Sequence, residues 1–170
     1  MSHIRSLDPE ADLTAVAAFY EEAGDYWHLA DRKPPDQQKA RDFFTDAPPG
    51  CDPARSQRLG LFIDGRLCGV AELSFGFPEP DDAYLGLMLL APRLRGQGYG
   101  HRLTAEIVAR ARAAGSPRLF LAVLDANPRG RAFWEREGFR DTGVFRQDDE
   151  TGHVIRRMVR LLTATSAETG

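Results

Sequence analysis

Three glycines at alternate positions, in Arg95-Gly96-Gln97-Gly98-Tyr99-Gly100, constrain this chain more than any other stretch. The preceding run from Leu85 to Leu90 reads as a buried strand, and Leu103, Ile107, Val108 and Ala111 recur behind the glycines at helical spacing. The unit is a strand, a tight turn and a helix. A helix start leaves backbone N–H groups without intrahelical acceptors and carries partial positive charge. Glycines let that backbone approach an anion unobstructed, so the turn reads as a phosphate cradle, or as a plain strand-to-helix connection. A Walker A loop needs Lys-Ser or Lys-Thr after its last glycine, and His101-Arg102 stands there. A dinucleotide fingerprint needs its third glycine one residue later and an acidic residue ending a second strand. Neither pattern fits.

A second segment narrows the choice. Asn127-Pro128-Arg129-Gly130-Arg131-Ala132-Phe133-Trp134-Glu135-Arg136-Glu137-Gly138-Phe139 follows another strand-like run, Arg118 to Leu124. With both in view, the chain resembles the GCN5-related N-acetyltransferases. Arg95, Gly98 and Gly100 match that family's acetyl-CoA signature, and Asn127 to Phe139 resembles its later helix. The resemblance is clear over residues 58 to 162 and loose before them.

A chain of 170 residues suits one domain, expected over 1–162, with a small polar tail at 163–170 that is expected to fray. No run approaches a transmembrane helix and the N-terminus lacks a signal-peptide pattern, so a membrane association is not expected. Cys51 and Cys68 make no disulfide framework, which fits a reducing cytoplasm. Four scattered histidines lack ligand spacing, and no metal is expected. The net charge of −3 hides a split. Residues 1–85 carry 8 basic and 16 acidic side chains, whereas residues 86–170 carry 14 and 9. A basic half containing the glycine loop suits a polyphosphate compound, and an acidic half suits a cationic acceptor. The acidic balance and the lack of an aromatic-basic stripe argue against nucleic acid.

Along the chain, Asp8-Pro9 predicts a helix start, with Leu13, Val16, Ala17 and Tyr20 on one face and an end near Gly24. A second helix is expected after Pro34-Pro35, ending before Ala47. Asp64-Gly65 predicts a two-residue hairpin between strands 58–63 and 66–75. Strands at 84–90, 118–124, 143–146 and 153–161 follow, with helices to Gly115 and over 129–137, the latter closed by Gly138. The order predicts a mixed α/β domain: a mostly antiparallel sheet of six or seven strands with helices on both faces. By resemblance, the fourth and fifth strands splay apart between 84–90 and 119–124 and admit the pantetheine arm.

The resemblance also implies roles. Backbone N–H groups of Gly96, Gln97, Gly98, Tyr99, Gly100 and His101 would bind the pyrophosphate, helped by Arg95. Backbone atoms of Met88, Leu89 and Leu90 would bind the pantetheine, and an N–H near Leu89 or Leu90 would polarise the thioester carbonyl. Asn127 would meet the pantetheine or cap its helix. Arg131, like Arg129, would reach the nucleotide phosphates or stand solvated. Where many relatives carry a tyrosine acid, this chain has Trp134, whose indole is no acid at neutral pH. Where many carry a glutamate base, spacing gives Tyr84. Glu72 on the preceding strand, or Asp81 and Asp82, could act instead, and Glu72 faces either the splay or solvent. The acceptor pocket is expected at Tyr20, Asp25, Tyr26 and Trp27, in the connection between the first two helices. The expected activity is acetyl transfer from acetyl-CoA to a primary amine of a small molecule, by direct attack in a ternary complex. The alternative is an acyl-CoA sensor without turnover. Dimers are common in the family, but nothing here specifies an interface.

Overall fold

The computed structural model describes residues 1–162, so the expected frayed tail at 163–170 lies outside the described residues. Seven strands form one sheet: β1 (Ser2–Ser6), β2 (Gln57–Ile63), β3 (Arg66–Phe75), β4 (Ala83–Leu90), β5 (Arg118–Leu124), β6 (Arg140–Gln147) and β7 (Val154–Leu161). Their spatial order is β1-β2-β3-β4-β5-β7-β6. Every neighbouring pair is antiparallel except β4 and β5. That parallel pair is short. It holds through Ala83↔Leu119, Tyr84↔Phe120 and Leu85↔Leu121, and beyond Leu85 the two strands part.

Two cores sit on opposite faces. On one, α4 (Tyr99–Ala113) lays Leu103, Ile107, Val108 and Ala111 against Leu73, Leu85, Leu119 and Leu121. These positions fall on one helical stripe, as the sequence pattern predicts. On the other, α1 (Leu13–Glu22), α2 (Gly24–Asp31) and α3 (Gln37–Thr45) pack Val16, Phe19, Trp27 and Phe43 onto Phe62, Cys68, Val70 and Leu89. The fifth helix, α5, spans Pro128–Arg136.

The hairpin forms at Asp64-Gly65, both at positive φ (49° and 82°), the backbone that a two-residue turn between twisted strands demands. Two expectations need correction. Asp8 does not cap α1; its carboxylate accepts from the N–H groups of Glu10 and Ala11 in a preceding turn, and the helix starts at Leu13. The connection expected between the first two helices holds a helix of its own, α2. Eight residues opened by glycine are marginal alone, and burial of Trp27 holds them.

Strand β4 is irregular at its single glycine. Glu72 pairs with Leu87 and Leu73 with Leu85, so Gly86 is an extra residue, a β-bulge. Ala83 and Leu85 point to the α4 core, yet after the bulge so do Met88 and Leu90, while Leu87 and Leu89 turn to the α1–α3 core.

Asp82, only 1% exposed, grips Arg118 through two bonds of 2.9 and 2.7 Å just before β4. It also accepts from the Glu79 N–H. This locks the start of β4 to β5 and removes Asp82 from the candidate bases. Asp82→Ala is expected to lower stability by about 2 kcal/mol in urea unfolding, because charged hydrogen bonds are lost while Arg118 can still reach water.

Candidate active site

A cleft of about 730 Å³ opens on the α1–α3 face. Tyr20, Tyr26 and Trp27 form one wall, and Asp36, Asp42 and Asp46 flank the α3 side. Asp148, Glu150, Thr151 and His153 of the β6–β7 loop, which is tied to the end of α2 through His153 and Leu29, line it as well, with Arg58, Glu72, Gly86 and Leu87. Seven lining residues are acidic and three are Lys or Arg, so the cleft attracts cations.

Glu72 faces this cleft. It is 6% exposed, and its Oε2 lies where a side chain on Gly86 would begin: a Cβ there would be 1.9 Å away. The bulge glycine therefore makes the room that brings the carboxylate beside the opening between β4 and β5. Oε1 accepts a hydrogen bond from the Ser74 hydroxyl, and the Arg58 guanidinium stands 3.9 Å off. Burial pushes the Glu72 carboxyl above the ordinary carboxylate range, against the pull of Ser74, Arg58 and Ser56. Arg58 is itself buried and donates to the Phe43 and Asp46 carbonyls at the end of α3.

Tyr20 and Trp27 line the cleft as packed walls, with ring centroids 4.8 Å apart and exposures of 2% and 5%. The outer face expected to hold an acceptor cation on Trp27 is already taken. Lys39 sits 4.6 Å over that ring while bonding Asp31 at 2.9 Å. Asp25 is not in the cleft. It pairs with Arg95 through contacts of 2.5 and 3.3 Å, and Arg95 also reaches the Leu90 carbonyl at 3.2 Å. The same contact commits part of the Arg95 charge that was expected to serve phosphates. Tyr84 lies in the closed part of the β4–β5 pair, edge-on to Phe77 at 5.1 Å. Burial raises its phenol further, so it stays neutral and is no base.

The glycine loop has the geometry of an anion cradle. Gly96 and Gly98 adopt φ of 79° and 89°, and among the described residues no side chain caps the start of α4. The N–H groups of Tyr99, Gly100 and His101 occupy that helix's first turn, where intrahelical acceptors are lacking. Gly100 serves packing as well: a Cβ there would stand 3.0 Å from the Phe133 ring. The Gln97 amide donates to the Arg93 carbonyl, and His101 contacts Glu137 at 3.0 Å. Backbone of residues 86–90, including Met88, Leu89 and Leu90, has no strand opposite it on the β5 side. A coenzyme A molecule fits this donor set: a phosphate cradle leading to an open strand edge.

Asn127 caps α5, accepting from the Gly130 N–H at 3.0 Å. Arg131 bonds Asp141 at 3.3 Å and stands 3.5 Å from Glu135, so it is paired rather than aimed at a phosphate; Arg129 is exposed. Trp134 packs edge-on between Phe133 and Phe139, at 4.8 and 5.3 Å. Trp134→Phe is expected to keep turnover within a few-fold and to cost at most ~1.5 kcal/mol of stability, as repacking of a half-buried aromatic does. A large fall in turnover at unchanged coenzyme affinity would show that the indole does more than pack.

The sequence alone missed Arg58, Asp42, Asp46 and the β6–β7 loop, because tertiary contact alone brings them to the cleft. Gly86 had a signal: a lone glycine inside a strand pattern marks a bulge or a close approach. Among the described residues, no group of acidic, His or Cys side chains could hold a metal, and no helix is long and apolar enough to cross a membrane.

This arrangement, a sheet with a parting between two parallel strands and a glycine turn at its foot, is that of an acyltransferase. The acetyltransferase (GNAT) family model matches residues 16–139, and the chain belongs to that family. Solved structures agree on the fold. An acetyltransferase from Thermus thermophilus superposes with a TM-score of 0.76 at 23% identity, covering 95% of this chain and 97% of that one. The ribosomal-protein-S18-alanine N-acetyltransferase from Escherichia coli gives 0.70 at 19% identity, covering 95% and 94%. Ard1 from Thermoplasma volcanium gives 0.72 at 17% identity, covering 95% and 97%.

Proposed function

We propose that this protein transfers an acetyl group from acetyl-CoA to the primary amine of a small cationic molecule. The observation that carries this reading is Glu72, a buried carboxylate on an acidic cleft, beside the open edge of β4. Acetyl-CoA supplies the activated acyl group. The glycine loop binds its phosphates, and the free edge at 88–90 orients its arm. The acidic walls draw in the acceptor as an ammonium ion, and Glu72 takes a proton to make the nitrogen nucleophilic. A backbone N–H near Leu89 or Leu90 stabilises charge on the carbonyl oxygen. Transfer is direct, in a ternary complex. Neither cysteine lines the cleft, and burial raises the Cys51 thiol, which disfavours an acylated enzyme.

The test is thiol release on mixing the protein with acetyl-CoA and a panel of diamines, amino sugars, amino acids and peptides. Acceptor-dependent release is expected. A second reading, an acyl-CoA sensor, draws on the presence of Tyr84 and Trp134 where relatives place a base and an acid. Tight coenzyme binding with no release for any amine would favour it. The two cysteines without a disulfide framework suit a cytoplasmic protein, and a homodimer follows the family's habit.

A further inference from the structure

Acetylation of an ammonium group by a thioester yields an amide, a thiol and one free proton. The nitrogen gives up two N–H protons; the thiol sulfur takes one, and the other must reach water. If Glu72 is the base, as proposed above, every turnover leaves that proton on a carboxyl only 6% exposed. Its Oε2 side, at Gly86, faces the cleft that the acceptor fills. Arg58, the nearest charged group, cannot carry the proton because its guanidinium is already fully protonated.

The other oxygen has a way out. Oε1 is bonded by the hydroxyl of Ser74, a residue with no exposed surface. The Ser56 hydroxyl lies 2.8 Å from that of Ser74, and Ser56 is half-buried at the mouth of β2, just after the short helical turn of Pro53–Arg55. Neither serine lines the cleft. We propose that Ser74 and Ser56 form a proton exit from Glu72 to solvent, separate from the path by which the acceptor enters. Once Glu72 is protonated, its O–H turns to the Ser74 side and the Ser74 hydroxyl, which donates to the ionised carboxylate, turns toward Ser56; the carboxyl O–H bond then breaks as one forms on Ser74 Oγ. The Ser74 hydroxyl proton passes to Ser56, and the Ser56 proton passes to water. Both hydroxyls end neutral, and the carboxylate is restored.

The experiment compares Ser56→Ala and Ser56→Thr in the full chain, at low buffer concentration and with increasing imidazole as a small proton acceptor. Ser56→Ala should lower kcat by about tenfold, leave the KM for acetyl-CoA unchanged, and regain turnover as imidazole is added. Ser56→Thr, which keeps the hydroxyl, should turn over like the parent. Unchanged kcat for Ser56→Ala overturns the proposal, as does a loss that imidazole does not restore, since a purely structural serine would behave that way. Glu72→Gln run alongside separates the two levels. If it alone is impaired, only the exit path fails; if it turns over normally, the assignment of Glu72 as base fails first.

Discussion

Glu72→Gln is expected to lower kcat by two to three orders of magnitude, on the order of what a positioned general base contributes. Coenzyme affinity should stay at the parent value, because the glycine loop and the free strand edge are untouched. The substitution is nearly isosteric, so the pocket beside Gly86 remains filled, while the group can no longer accept a proton. The pH profile gives a second readout. A base works only when deprotonated, so activity is present above its pKa and is lost as pH falls through it. Burial raises the Glu72 carboxyl, so the acid limb of kcat/KM should lie above the ordinary carboxylate range, and Gln should erase that limb. Gly86→Ala should reach a similar loss by another route. Its Cβ would meet Oε2 at 1.9 Å and force the carboxylate out of place. Retention of full activity by both variants would remove Glu72 from the mechanism.

Gly98→Val should abolish detectable coenzyme binding. Among the described residues nothing lies within 4 Å of a Cβ at this position, so the fold itself has room. The penalty has two other sources. At φ +89° a β-branched residue is strained, where an ordinary side chain costs roughly 1–2 kcal/mol. The added methyls would also stand at the uncapped helix start where phosphate oxygens approach. Gly98→Asn separates the two, since asparagine tolerates the left-handed region. Weak but measurable binding by Asn and none by Val, in a calorimetric titration with coenzyme A, fits both effects acting together. Unchanged affinity for Val would mean that the phosphates bind elsewhere.

Features governed by neighbours in sequence were legible in the sequence. The Asp64-Gly65 hairpin, the strand over Arg118–Leu124, the glycine turn and the Asn127–Pro128 helix start each depend on a few adjacent residues, and the structure has them where expected. Long-range pairing was not legible. Arg95 meets Asp25 across 70 positions, and Lys39 occupies the Trp27 ring, so three residues expected to await ligands, Arg95, Asp25 and Trp27, are instead engaged by the protein. The α2 helix escaped notice because its stability comes from burying Trp27 rather than from helix-forming residues. Glu72 could be named from sequence, but its orientation could not, since that depends on a bulge in the facing strand.

The bulge also makes β4 a strand with a phase slip. Apolar residues at 83 and 85 and again at 88 and 90 serve the same core only because one residue is skipped between them. Deleting Gly86 would remove the bulge yet leave every later side chain on its present face, whereas one residue inserted after Gly86 would exchange them: Met88 and Leu90 would turn toward α1–α3, and Leu87 and Leu89 toward α4. Both cores would then have to repack at once. The phase of this strand is therefore fixed by the two packed faces as firmly as by the carboxylate it makes room for, and an insertion after Gly86 should be tolerated far less than an apolar exchange at Met88 or Leu90.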